Sequence, residues 1–254
     1  MGKLTKFGGD SILNNSNGWW FSIAEGDVNR DGRMDYILGN LGENYQYKAM
    51  PGAPFKLFSK DFDNNGSLDI VLGYYENDTL YPVHNRESAL KQIPGLRNKF
   101  KDYNSFGSAT LEEIFNADNL EGSDIFEAKT FSNSILINTG EGFKLVKLPQ
   151  FAQISAVFGI IYDDFDKDGL DDLIIAGNLY NSEMETPRND AGKGLFLKGD
   201  GKGEFQVIRG YDSGLFIPGD VKKLKALRLG EGTSARKGII AGINNNSLRL
   251  IITQ

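Results

Sequence analysis

Asp163-Asp164-Phe165-Asp166-Lys167-Asp168-Gly169-Leu170-Asp171-Asp172-Leu173-Ile174-Ile175-Ala176-Gly177 is an acid-rich turn that opens directly into a β-prone apolar run closed by glycine. The same grammar occurs upstream, without gaps, in Gly26-Asp27-Val28-Asn29-Arg30-Asp31-Gly32-Arg33-Met34-Asp35-Tyr36-Ile37-Leu38-Gly39. It occurs again in Lys60-Asp61-Phe62-Asp63-Asn64-Asn65-Gly66-Ser67-Leu68-Asp69-Ile70-Val71-Leu72-Gly73. All three follow D-x-[DN]-x-[DN]-G-x-x-D. An internal repeat this regular dictates architecture, because each copy is one supersecondary unit that must bury its apolar face against a neighbour.

Oxygen ligands at alternate positions of a tight loop suit a hard cation such as Ca²⁺, which takes six to eight oxygens. Positions 1, 3 and 5 supply side chains, glycine at 6 permits the turn, and the carbonyl at 7 can join them. An EF-hand would close with Glu at position 12 on a helix, but here position 12 is Leu38, Leu72 or Ile175 and a strand run follows. The last acid stands at position 9 instead, so an EF-hand or dockerin is excluded on both counts. Ordinary Asp/Asn/Gly turns are the bland alternative for one loop. Three loops with one nine-residue pattern make it remote. Ten carboxylates occupy these positions, and packing three or four into one loop without a cation is strongly repulsive.

With these residues in view, the chain resembles the FG-GAP/VCBS repeats of integrin-α-type β-propellers, and more closely bacterial VCBS/ASPIC-type secreted proteins. The resemblance extends to Asn17-Gly18-Trp19-Trp20, Tyr81-Pro82-Val83-His84 and two hairpin segments, Ser134 to Phe143 and Leu195 to Phe205. It implies an all-β propeller with Ca²⁺ held between the first two strands of a blade. The implied ligands are Asp27, Asn29, Asp31 and Asp35; Asp61, Asp63, Asn65 and Asp69; and Asp164, Asp166, Asp168 and Asp172, with the carbonyls of Arg33, Ser67 and Leu170 assisting. Three Ca²⁺ sites are expected. The second, with Asn65 at position 5, is expected to be weaker or to tolerate Mg²⁺.

Residues 157–209 form the clearest blade, with strands at Val157 to Tyr162 and Leu173 to Ala176. A metal-free unit follows: Gly238-Ile239-Ile240-Ala241-Gly242 echoes the third loop's strand, but Leu229, Glu231 and Thr233 replace its acids. The expectation is one domain over residues 1–254 with about four blades, or five if the first region splits, and residues 2–7 completing the last blade as an added strand. A helical insertion is expected at about 85–124. Leu90, Ile93, Leu96 and Phe100 have helical spacing, Pro94 marks a break or start, and Thr110-x-x-Glu113 reads as a capping box. Two or three short helices follow from this, which either build a functional face or cover an edge.

The chain has 254 residues, 40% hydrophobic and 11% aromatic, enough for a packed core. Its 31 glycines against 7 prolines fit a fold of many tight turns. With no cysteine and one histidine, disulfides, thiolate metal sites and most hydrolytic or redox chemistry are excluded or hard to build. The net charge of −6 argues against nucleic acid, and no apolar run is long enough for membrane insertion.

Outside the loops, Trp19 and Trp20 are candidates for sugar stacking, weighed against a place in the core. His84, beside Tyr81 and Arg86, is weighed as a ligand contact against a structural histidine, which is favoured. Glu185, Arg188 and Asp190 are candidate ligand contacts in a polar loop, weighed against a solvated loop with a local ion pair. The expected function is a non-enzymatic, calcium-stabilised interaction module binding an extracellular protein or glycan. It would act outside the cell, in the periplasm or on a bacterial surface, as a monomer or part of a larger chain. The alternative is a carbohydrate-active lyase or hydrolase using His84.

Overall fold

The computed structural model describes residues 3–5, 8–182, 186–231 and 236–252. The protein is mainly β, with four antiparallel sheets of three or four strands and a few short helices. Along the chain come α1 (Ser11–Asn14), β1 (Ser22–Gly26), β2 (Asp35–Gly39), β3 (Phe55–Lys60), β4 (Asp69–Glu76) and β5 (Thr79–Pro82). Helices α2 (Arg86–Gln92), α3 (Leu96–Lys99), α4 (Tyr103–Gly107), α5 (Leu111–Phe115) and α6 (Ala117–Glu121) follow. Then come β6 (Asp124–Ala128), β7 (Ser134–Asn138), β8 (Phe143–Lys147), β9 (Gly159–Asp163), β10 (Asp172–Ala176), β11 (Leu195–Gly199) and β12 (Phe205–Ile208). The chain ends with α7 (Gly210–Ser213), β13 (Val221–Leu229), β14 (Arg236–Ile243) and β15 (Arg249–Ile252).

The chain divides into two compact units. The first comprises Met1–Asn15, Trp19–Tyr45 and Phe131–Gln254 and contains the sheets β1-β2-β7-β8, β9-β10-β11-β12 and β13-β14-β15. The first strands of these sheets lie against one another, β1 on β9 and β9 on β13. Alternation along β10 explains why all five of its residues are buried. Ile174 and Ala176 face a core with Leu224, Ile239 and Ala241, while Leu173 and Ile175 face one with Val28, Ile37 and Ile135. Close approach also explains the glycines that close β2 and follow β10. A Cβ on Gly39 would lie 2.2 Å from the Val157 carbonyl oxygen, and one on Gly177 would lie 2.3 Å from that of Ala156.

The second unit comprises Ser16–Gly18 and Gln46–Thr130 and holds the sheet β5-β4-β3-β6. The insertion packs Leu90, Ile93, Leu96, Phe100, Ile114 and Phe115 into one core with Phe58 of β3 and Val71 of β4. It contains five short helices where two or three were expected. Their starts follow capping chemistry. Asn85 accepts from the Ser88 amide and Asp102 from the Ser105 amide, and Thr110 and Glu113 form the reciprocal box at 3.2 and 2.8 Å. Gln92 pairs both its amide groups with the backbone of Ile70, at 2.8 and 2.9 Å, beyond the reach of β5 on that side of β4. Edge covering is therefore part of what the insertion does.

The four sheets correspond to the four repeat units expected, but among the described residues no closed propeller is found. Residues 46–130 interrupt the first sheet in sequence, so that its last two strands, β7 and β8, are supplied after the whole second unit. The hairpin segment at Ser134 thus belongs to the first loop's sheet. Of the expected N-terminal strand, Gly2, Lys6 and Phe7 lie outside the described residues, and Lys3 to Thr5 carry no strand. Asp10 caps α1 and its carboxylate accepts from the Phe143 amide at 2.7 Å, which ties this segment to β8. Among the described residues, β13-β14-β15 has three strands and no helix is long and apolar enough to cross a membrane.

Candidate metal centre

Each acidic loop joins the first two strands of its sheet in chain order: β1 to β2, β3 to β4 and β9 to β10. The three share one backbone solution. Position 4 is left-handed in each, with φ of 57° at Arg30, 57° at Asn64 and 63° at Lys167. Position 6 is glycine with φ of 83°, 87° and 88° at Gly32, Gly66 and Gly169, where a side chain would be strained.

The position-1 carboxylates accept from the amides of position 6: Asp27 from Gly32 at 2.8 Å, Asp61 from Gly66 at 2.8 Å and Asp164 from Gly169 at 3.1 Å. Position 5 accepts from the amide of position 7: Asp31 from Arg33, Asn65 from Ser67 and Asp168 from Leu170, at 2.9, 2.8 and 2.9 Å. These bonds curl each loop, and each carboxylate oxygen keeps lone pairs for a cation.

The acid at position 9 has a second role. Asp35 is fully buried and accepts from the Val28 amide at 3.1 Å and, across the sheet, from the Asn138 amide at 2.7 Å. Asp172, equally buried, repeats this with Phe165 at 3.0 Å and Gly199 at 3.2 Å. One carboxylate thereby locks the loop to the end of the third strand of its sheet. Asp69 accepts from Phe62 at 2.9 Å.

Two of the loops bring acids together. Asp61, Asp63 and Asp69 each offer an oxygen within 4.8 Å of the others, as do Asp164, Asp166 and Asp172, and both triads can hold a metal ion such as Ca²⁺. Burial pushes the Asp69 carboxyl above its usual range against the Phe62 hydrogen bond, and the charges of Asp63 and Asp61 add to the rise. Asp172 is raised by burial, opposed by its bonds from Phe165 and Gly199 and assisted by Asp166. Carboxylates held above their normal range by burial and by one another are a donor set that a cation would relieve.

The loops differ in the cations near them. In the third, the Lys198 ammonium from β11 pairs with Asp166 and lies 2.7 Å from Asp168. Its hydrogen bond holds the Asp168 carboxyl below the usual range. In the first, Asn29 replaces an acid, and the Arg33 guanidinium pairs with Asp31 while its Nε donates to the Asn138 carbonyl at 3.0 Å. Asp31 is partly desolvated, yet bonds from the Arg33 amide, Asn29 and the Arg33 side chain hold its carboxyl low. Asp27, Asp31 and Asp35 form no such triad among the described residues. No lysine or arginine pairs with Asp61, Asp63 or Asp69 among the described residues.

The other candidates are scattered. Trp19 is half-buried against Phe131 and Tyr45, with ring centroids 5.0 and 6.4 Å away, and Trp20 is half-buried too. His84 lines a cavity of about 240 Å³ with Tyr74, Tyr81, Arg86 and Tyr103, and no described lining residue is acidic. Arg188 pairs with Asp190 at 3.2 Å and stacks over Tyr180, the local ion pair that was the bland alternative. Glu185 lies outside the described residues.

One feature was legible in the sequence but not singled out there. The triplets Gly39-Asn40-Leu41 and Gly177-Asn178-Leu179 recur after the second strands of two sheets. Both asparagines are fully buried: Asn40 accepts from the Trp19 and Leu41 amides, and Asn178 bridges Gly192 and Gly219. Lys198 was not legible there, because only its approach in space gives it meaning. Comparison with protein-family models finds none that matches the chain, and comparison with curated proteins finds no match.

Proposed function

We propose that this protein is a calcium-stabilised β-repeat module of the propeller type, acting outside the cell in recognition of a protein or glycan. The observation that carries this reading is the pair of Asp triads, each with oxygens within 4.8 Å, on loops sharing one hydrogen-bond pattern. Asp61, Asp63 and Asp69 would hold one ion, and Asp164, Asp166 and Asp172 another. The carbonyls of Ser67 and Leu170, Asn65 and Asp168 are further oxygen donors in the same loops. The first loop, with Asp27, Asn29, Asp31, Asp35 and the Arg33 carbonyl, is the third candidate. The packing of first strand on first strand supports a blade-like arrangement within the first unit.

The bound ion would supply positive charge to a desolvated acid cluster, and its role is structural. Loops of this kind with Kd of about 10⁻⁴–10⁻³ M fill at millimolar calcium and stay empty at cytosolic levels, which supports an extracellular, periplasmic or surface location. At tenfold excess over Kd each site adds about 1.4 kcal/mol.

Thermal melts in calcium and in EGTA at equal ionic strength test the reading. Two filled sites should separate the curves by roughly 5–10 °C. Superimposed curves would remove calcium from the account. Binding and cleavage on a polysaccharide and glycoprotein panel then test recognition, and cleavage lost in His84→Ala would replace the binding role with a catalytic one.

A further inference from the structure

We propose that Lys198 is a tethered counter-cation of the third loop, so that an incoming divalent ion must displace its ammonium, and that the second loop is consequently the tighter site. This rests on the metal reading above and concerns how the same loops are regulated.

The geometry is specific. Lys198 leaves β11, the strand beside β10, and brings its ammonium to Asp166 and, at 2.7 Å, to Asp168. Asp166 is a member of the third triad. One carboxylate oxygen of Asp166 is therefore bonded to an ammonium at the edge of the third triad. The displaced side chain has somewhere to go. Lys198 and Asp166 both border a cavity of about 670 Å³ whose walls include Phe165, Phe196 and Ile251, so the alkyl stem can lie on apolar surface while its head reaches water.

The second loop lacks such a cation among the described residues, and its triad is otherwise of the same kind. Ligand chemistry alone ranks the second loop lower, because Asn65 stands where the third loop has Asp168. The tethered ammonium reverses that order. It occupies two of the third loop's acids, and its charge repels the ion until it swings away. Competition from a half-exposed ion pair of this kind weakens apparent affinity roughly two- to fivefold. The third loop thereby becomes a site that empties first as calcium falls.

Calorimetric titration of the full chain with Ca²⁺ tests this, using wild type, Lys198→Met, Lys198→Gln and Lys198→Arg, with Asp61→Asn and Asp164→Asn to assign the sites. The expected result is a tighter class lost in Asp61→Asn and a weaker class lost in Asp164→Asn. Both neutral variants should tighten the weaker class about two- to fivefold, and the arginine variant should not. If the Asp61-dependent class is present but neither neutral variant changes the Asp164-dependent one, the counter-cation role is wrong while the metal reading stands. If the Asp164-dependent class is the tighter in wild type, the proposed order is wrong. If no variant binds calcium, both fail together, and the missing Asp61-dependent heat identifies that case.

Discussion

The position-9 aspartates combine two tasks that are separable by experiment. Asp35 and Asp172 each accept two backbone amides while fully buried, one from the loop and one from the third strand. Replacing Asp172 with alanine leaves those amides unpaired and should cost roughly 2–4 kcal/mol, measured by urea unfolding in EGTA. A loss seen only in calcium would make the residue a ligand alone. The raised carboxyls of Asp69 and Asp172 give a sign for pH. With folded values above unfolded ones, the metal-free folded state holds more protons at these sites. Their contribution to stability is then fully present below the unfolded carboxylate value and is lost as pH rises through the raised folded values. Calcium favours the charged forms, so the melting difference between calcium and EGTA should shrink as pH falls through that window. A difference constant from about pH 7 down to about pH 4 would contradict this assignment.

At the scale of elements, strands and helices are held by different means. A Cβ added at Gly39 or Gly177 would meet a neighbouring carbonyl oxygen at 2.2 or 2.3 Å, so Gly177→Ala must push apart two segments of the first unit. We expect a loss of roughly 1–3 kcal/mol for overpacking there, against a few tenths for Gly52→Ala, which meets nothing within 4 Å. Denaturant midpoints of the pair decide the matter. In the insertion, the capping box of α5 makes Thr110→Ala worth about 1 kcal/mol, read from the same titrations. The helices are too short to persist alone, and Leu90, Ile114 and Phe115 gain their stability from the sheet they cover. This explains why their number was underestimated: tertiary burial supports single-turn helices that helical spacing over four or five residues cannot reveal.

Across the whole molecule, the order of strands in the chain differs from their order in the sheets. The first sheet takes two strands from before residue 46 and two from after residue 130. Calcium should act on both compact units, since each carries one Asp triad. Asp61→Asn and Asp164→Asn should therefore each remove part of the calcium-dependent rise in melting temperature, and the double variant nearly all of it. A single variant that abolishes the whole effect would assign it to one loop.

The sequence by itself determined the repeat, the loop positions, the strands on either side and the capping box, because these depend on contacts within a few residues. Alternate oxygens, a left-handed glycine and a β-prone run are local instructions. Only the tertiary structure decided that the Ser134 hairpin completes the first sheet and that Gln92 seals Ile70. It alone placed the Lys198 ammonium against Asp166, although 32 residues separate them in the chain. The physical reason is common to all three. Pairing between distant segments is chosen by burial and hydrogen bonding across the fold, and charge proximity follows from that choice rather than from spacing along the chain.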